Sequence, residues 1–173
     1  MPADSAKALP DIAVGDTVVY AAHGVGRVVA HEQKRVGGTK RDCVVVELDG
    51  ELRVTLSLSE AAERLRPVAD ERELEEVRRT LASGPSEPDA TWIKRMKESK
   101  AKLAGGRVVE LAELVRDGER SARAARLSHG ERQVYLHARR LLVRELHSAR
   151  GLDEDEAEAW IEAQLALSSK NGD

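Results

Sequence analysis

The chain has 173 residues, with 28 Lys and Arg against 31 Asp and Glu for a formal net charge of -3, 41% hydrophobic residues and only 2% aromatic ones. That length suits one domain or two small ones, and a core without phenylalanine has to be built from Val, Leu, Ile and Ala. No apolar run approaches the ~18 residues that span a bilayer, the opening MPADSAKALPD lacks the apolar stretch of a signal peptide, and a lone cysteine, Cys43, excludes an internal disulfide or a cysteine-rich zinc site. A soluble, cytoplasmic protein is expected. Its charged fraction of 34% lies above the usual ~25% and points to small modules or exposed helices.

Residues 1–10 read as a flexible tail. From Asp11 to about Ala69 the pattern is β. Val18-Val19-Tyr20 is a short apolar run, and Val25 to His31 is valine-rich behind Gly24 and Gly26. Val36-Gly37-Gly38-Thr39 reads as a turn, because two glycines can take positive φ. Cys43 to Leu48 is apolar and ends at Asp49-Gly50, a strong hairpin signal. Leu52, Val54, Leu56 and Leu58 then alternate with Arg53, Thr55 and Ser57. Four or five short strands in under sixty residues imply a small curved antiparallel sheet or barrel, or else an open meander packed on the helical part.

After Pro67 the period changes. Leu74, Val77 and Leu81 fit one helix face between Asp70 and Gly84. Gly84 to Asp89 carries two prolines and cannot continue it. Thr91 or Asp89 can cap a helix that holds Trp92 and runs to Gly105-Gly106. Val108, Leu111, Ala112 and Val115 mark another, closing near Gly118. Ser128 with Glu131 forms a capping box ahead of the longest stripe, Val134, Ala138, Leu141, Leu142 and Leu146, which Gly151 stops. Asp153 with Glu156 opens the last helix, bearing Trp160, Ile161 and Leu165. The tail 168–173 is polar and expected to fray. The fold class is therefore α+β: a β module over 11–69 and a bundle of about five helices over 70–167, with no internal repeat.

Charge is segregated. Residues 91–150 hold 15 basic and 7 acidic groups, between acidic flanks at 70–90 (3 and 7) and 151–173 (1 and 7). Such local excess binds phosphates over roughly one Debye length, ~8–10 Å, although a solvated arginine-rich helix surface has the same composition. His23-Gly24-Val25-Gly26 resembles a nucleotide loop, but no helix follows and a third glycine is missing. His137 and His147, ten residues apart in one helix, do not meet, and no metal or other cofactor is expected. Cys43 in its apolar run reads as a small core residue. The serines lack a base or a nucleophile elbow, and the runs Glu71–Glu76 and Asp153–Glu158 read as acidic helix starts. No enzyme is expected. Trp92 stands out, because it opens a helix and is followed by Lys94, Arg95, Lys97, Lys100 and Lys102. A flat side chain among cations suits stacking or wedging against bases, with the cations on phosphates. The competing reading buries Trp92 beside Met96. Arg123, Arg126, Arg132, Arg139 and Arg140 could extend the basic face, though Arg139 and Arg140, being adjacent, cannot both join it.

Val14-Gly15-Asp16-Thr17-Val18-Val19-Tyr20, followed by His23-Gly24, resembles the opening of the CarD family of bacterial transcription regulators. Thr91-Trp92-Ile93-Lys94-Arg95-Met96-Lys97 is similar to that family's tryptophan-containing helix start. Leu103-Ala104-Gly105-Gly106, Ala112 to Asp117, Leu127 to Arg132 and Ala138 to Leu146 continue the similarity in order, from about Val14 to Leu165. The resemblance implies a Tudor-like or SH3-like β domain, shared with transcription-repair coupling factors, that binds the RNA polymerase β subunit. It also implies a helical domain that contacts promoter DNA at the upstream edge of the melted region. There a tryptophan wedges into the minor groove and stabilises the open complex. Trp92 occupies that position, and Lys94, Arg95 and Lys97 fall among the expected DNA-contacting cations, with Lys100, Arg132 and Arg139 as further candidates. Largely sequence-independent binding is expected from the residues themselves, since the basic stretch has no recognition helix with Asn, Gln and Arg set to read base edges. Lys34 matches one polymerase-facing basic residue. The other falls at Thr55, with Arg53 two residues earlier on the same strand face. A monomer that joins the nucleoid through polymerase is expected, without a membrane partner. The alternative is an adaptor whose basic surface meets an acidic protein.

Overall fold

The structure, a computed structural model, describes residues 12–48, 51–84 and 91–170. The fold is α+β, with an antiparallel sheet in the first part of the chain and a helical bundle in the second. The chain divides into two compact units between Val68 and Ala69. Among the described residues no helix is long and apolar enough to cross a membrane.

The first unit contains β1 (Thr17–Tyr20), β2 (Gly24–Val36), β3 (Thr39–Leu48), β4 (Leu52–Ser57), α1 (Leu58–Arg64) and β5 (Leu65–Pro67). The sheet order is β4-β3-β2-β1-β5, so four strands meander and the fifth returns beside the first. Val18, Tyr20, Val28, Val44, Val46, Leu48, Leu56 and Leu65 form its core with Ala61 of α1, each large side chain contributing about 1.5–3 kcal/mol by leaving water. β2 and β3 outrun the apolar stretches that mark them, because residues 31–42 are exposed around the turn at Gly37-Gly38 and hold one large apolar side chain, Val36. Both glycines have positive φ, 61° and 84°. Gly26 is needed for another reason: a Cβ there would lie 2.6 Å from Leu48 and 2.9 Å from the Glu47 carbonyl. The expected hairpin turn at Asp49-Gly50 lies outside the described residues.

The alternation over 52–58 holds only in part. Leu56 is buried, but Leu52 and Leu58 are exposed, and Leu58 opens a helix instead of continuing the strand. A reciprocal cap causes the change. The Ser57 hydroxyl accepts from the Glu60 N–H at 3.2 Å, and the Glu60 carboxylate accepts from the Ser57 N–H at 3.0 Å.

The second unit contains α2 (Glu71–Ala82), α3 (Trp92–Gly105), α4 (Val108–Arg123), α5 (His129–Arg150) and α6 (Glu154–Lys170). Asp70 and Glu73 cap α2 reciprocally, and Asp153 and Glu156 do the same before α6. Ser128 caps α5 by accepting from the Glu131 N–H. Gly106 and Gly151 end α3 and α5 in the left-handed conformation. The predicted stripes all face the core: Leu74, Val77 and Leu81; Val108, Leu111, Ala112 and Val115; Val134, Ala138, Leu141, Leu142 and Leu146; Ile161 and Leu165.

Two boundaries differ from expectation. α4 passes through Gly118 to Arg123. That glycine is no stop signal: a Cβ on it would sit 2.4 Å from the Tyr135 ring, so it lets α5 lie close against α4. α6 continues to Lys170, so Ser168 to Lys170, expected in a frayed tail, are helical.

Candidate nucleic-acid interface

α3 is attached to the bundle by few contacts, and this leaves its polar face open. Its one buried side chain is Met96, with Leu103 partly buried against the core. Met96 lies against the start of α5, where a Cβ added to Gly130 would come 3.3 Å from its methyl group. Lys102 donates to Glu113 of α4 at 2.7 Å. Thr91 fixes the first turn, its hydroxyl accepting from the Lys94 N–H at 3.3 Å.

Trp92 is 50% exposed and Ile93 73% exposed. Trp92 belongs neither to the bundle core nor to the partly buried residues packed on it, whereas Trp160 does. Trp160 also has the Arg150 guanidinium over its ring at 5.4 Å. The burial of Trp92 beside Met96 is therefore not what the structure contains. The first turn of α3 has no acidic residue, so the positive end of the helix dipole is left uncompensated there. Lys94, Arg95, Lys97 and Lys100 are all exposed. Lys94, Lys97 and Lys100 form no salt bridge among the described residues. Arg132, two residues beyond the Met96 contact on α5, is exposed as well. Ile93 is not singled out by the sequence, because one isoleucine beside a tryptophan looks like part of an apolar stripe.

Arg139 departs from the expected DNA-facing role. Its side chain is only 14% exposed, and it binds carboxylates of two other helices. Nε donates to Glu158 at 2.8 Å, and a terminal nitrogen reaches both Glu158 and Glu162 of α6. The other terminal nitrogen donates to the Tyr135 hydroxyl at 2.9 Å and lies 3.6 Å from Glu119 of α4. Tyr135 in turn donates to Glu119 at 2.5 Å. Burial works against the charge of Arg139, but its bonds to Glu158 and Glu162 prevail and hold its pKa above the ordinary value. Burial, helped by the bond to Glu119, pushes the Tyr135 hydroxyl up to about 12. Burial would raise Glu119, yet the bonds from Tyr135 and Arg123 bring it below the usual carboxylate range. Arg139 is thus a clamp between α4, α5 and α6, with four of its five N–H donors given to side chains of the bundle.

In the β unit the strand register places Lys34, Arg53 and Thr55 together on one face. Lys34 pairs with Arg41, Thr55 with Val45 and Arg53 with Glu47. Arg41, Val45 and Glu47 are alternate residues of β3 and so point the same way. The core residues Val44, Val46 and Leu48 occupy the other face. Lys34 is exposed, Thr55 is half-buried, and Arg53 donates from Nε to Glu47 at 3.1 Å while staying largely exposed.

Two family models cover nearly all of this architecture. The CarD-like/TRCF RID domain matches residues 12–69, and the CarD C-terminal domain matches residues 76–162. The chain belongs to the CarD family of transcription regulators. A relative from Bacillus subtilis (strain 168), named "Putative transcription factor YdeB", is 28% identical over 149 residues, covering 85% of this chain and 97% of its own. The CarD C-terminal match contains the whole of α3, and with it the exposed Trp92 and its cations. The RID match contains the sheet face with Lys34, Arg53 and Thr55.

Proposed function

We propose that this CarD-family regulator holds RNA polymerase, through the β subunit, with the Lys34–Arg53–Thr55 face, and touches promoter DNA with the start of α3. It acts without catalysing a reaction, by favouring the melted over the closed promoter. One observation carries this reading: a half-exposed Trp92 stands at a capped helix start that is free of acidic residues and surrounded by exposed lysines. Wedging an indole into intact duplex costs a few kcal/mol of unstacking, and less where the duplex already ends at a bubble. The side chain therefore binds the two promoter states with different free energies, which is the only way a ligand can shift such an equilibrium. Lys94, Lys97, Lys100 and Arg132 hold phosphates and read no base edges. Weak DNA affinity suffices, since polymerase already tethers the protein near its site and raises the effective concentration toward the millimolar range. The strand order, with β5 closing beside β1, supports the Tudor-like reading of the first unit.

The test is binding of the full chain to core polymerase, with Lys34→Glu, Arg53→Glu and their combination. Charge reversal on the rim of a contact slows association and changes its salt dependence. The combined variant is expected to bind core polymerase at least tenfold more weakly than the parent while keeping its affinity for forked DNA. Undiminished polymerase binding would place the contact elsewhere.

A further inference from the structure

The β2–β3 ribbon carries two opposed cation pairs, and only one of them lies on the polymerase-facing side of the sheet. The register sets Lys34 opposite Arg41 and, one rung nearer the turn, Arg35 opposite Lys40. Directly opposed residues have Cβ atoms roughly 4.5–5.5 Å apart, and like charges placed so are destabilising. Successive rungs alternate in direction. Lys34, Arg41 and the exposed Val36 therefore lie on the side of Arg53 and Thr55, while Arg35 and Lys40 point the other way with Gln33 and Asp42. The pKa of Glu60 is held below its ordinary value first by its bonds with Ser57 and, to a smaller degree, by the charges of Arg64 and Arg41. Arg35 and Lys40 form no salt bridge among the described residues. Asp42, the carboxylate of their face, accepts instead from the Gln33 amide at 3.1 Å.

We propose that Arg35 and Lys40 form a second phosphate-binding face, directed at the backbone of duplex nucleic acid and separate from both α3 and the polymerase-facing side of the sheet. A repulsive pair that the fold leaves unneutralised gains most from an anion that touches both members. Phosphates along one strand of a duplex supply such anions at about 3.4 Å of axis per charge. The ribbon is slim enough for this approach. Residues 31–42 are all exposed, the tip residues Gly37 and Gly38 have open space where a Cβ would be, and a two-stranded ribbon fits a DNA groove. The composition favours nucleic acid over protein. Protein interfaces centre on aromatic or apolar anchors and are depleted in lysine; this face of the ribbon has no apolar residue, since Val36 lies on the opposite one.

The experiment measures full-length protein on a short duplex without polymerase, across about 50–200 mM salt. The variants are Arg35→Gln/Lys40→Gln, with Lys97→Gln as a reference. Two phosphate contacts at about 0.9 each should reduce the log–log salt slope by one to two units. Core polymerase affinity should stay within twofold, and the β unit should melt at or above the parental temperature, because a repulsion has been removed. An unchanged slope in the ribbon variant beside a reduced one in Lys97→Gln would overturn this face while leaving the α3 interface standing. Unchanged slopes in both would overturn both. Lost polymerase binding with an unchanged slope would assign Arg35 and Lys40 to an acidic protein surface instead, and a lowered melting temperature would make them structural.

Discussion

Replacing Arg139 with alanine should unfold the helical unit at a markedly lower temperature without changing DNA binding. The magnitude follows from what the side chain leaves behind. Removing one partner of a buried ion pair costs about 3–5 kcal/mol, because an uncompensated charge remains. Here three carboxylates and the Tyr135 hydroxyl lose a common partner. Glu158 and Glu162 are about half exposed and can rehydrate, and exposed pairs are worth little. The cost therefore falls mainly on Glu119, 20% exposed at its side chain, and on the tyrosine. We expect about 2–4 kcal/mol. An unfolding entropy of about 2.1 cal/mol/K per residue converts this to a drop of roughly 10–20 °C in a unit of about a hundred residues. Arg139→Lys, which keeps the charge but loses the planar fork, should fall between. Circular dichroism melts, read beside duplex binding across a salt series, decide the matter. A variant that melts normally but loses one unit of salt slope would return Arg139 to the DNA surface and refute the clamp.

Other consequences can be checked with similar means. Gly118→Ala drives a methyl group into the Tyr135 ring and should cost about 1–3 kcal/mol of overpacking, visible as a lower Tm with no change in polymerase binding. Lys97→Gln should reduce the magnitude of the log–log salt slope on duplex DNA by about one unit, equally for unrelated sequences. The clamp also sets pH limits. Glu119 has a lowered pKa in the fold, so its contribution is present above the unfolded value of about 4.3 and disappears as pH falls through the lowered one. Tyr135, raised to about 12, contributes fully below about 10 and loses that contribution as pH rises through 12. Tyr135→Phe should therefore flatten the alkaline limb of a stability–pH profile, and an unchanged limb would contradict the Glu119–Tyr135 bond.

What the sequence makes legible depends on apolar periodicity and on caps. The spacing of Leu74, Val77 and Leu81, and the pairs Asp153–Glu156 and Ser128–Glu131, are enough by themselves to locate α2, α6 and the start of α5. α1 stays hidden because only Ala61 of its seven residues is buried; two turns with one apolar contact carry no period, although Ser57 and Glu60 spell the cap. The outer ribbon stays hidden because Glu32 to Asp42 has no hydrophobic alternation, and its cation pairs emerge only from the register around Gly37-Gly38. Gly118 reads as a helix end because glycine serves both termination and close packing, and the Tyr135 ring that distinguishes them lies on another helix. Arg139 misleads for a related reason: composition gives the sign of a charge, while its partners, nineteen and twenty-three residues away, appear only in the folded bundle. The α3 surface is the converse case. Its residues are contiguous, so the sequence shows them together, but only the structure separates an exposed Trp92 from a buried one.

The central claim concerns that exposed indole, and the lifetime of promoter open complexes with Trp92→Ala tests it most directly. Stacking losses of about 1–3 kcal/mol per base on alanine substitution predict open complexes that dissociate roughly five- to 150-fold faster than with the parent protein. Polymerase binding and the melting curve should be unchanged, since Trp92 lies outside the core. A variant that folds, binds polymerase and sustains open complexes as long as the parent would contradict the account.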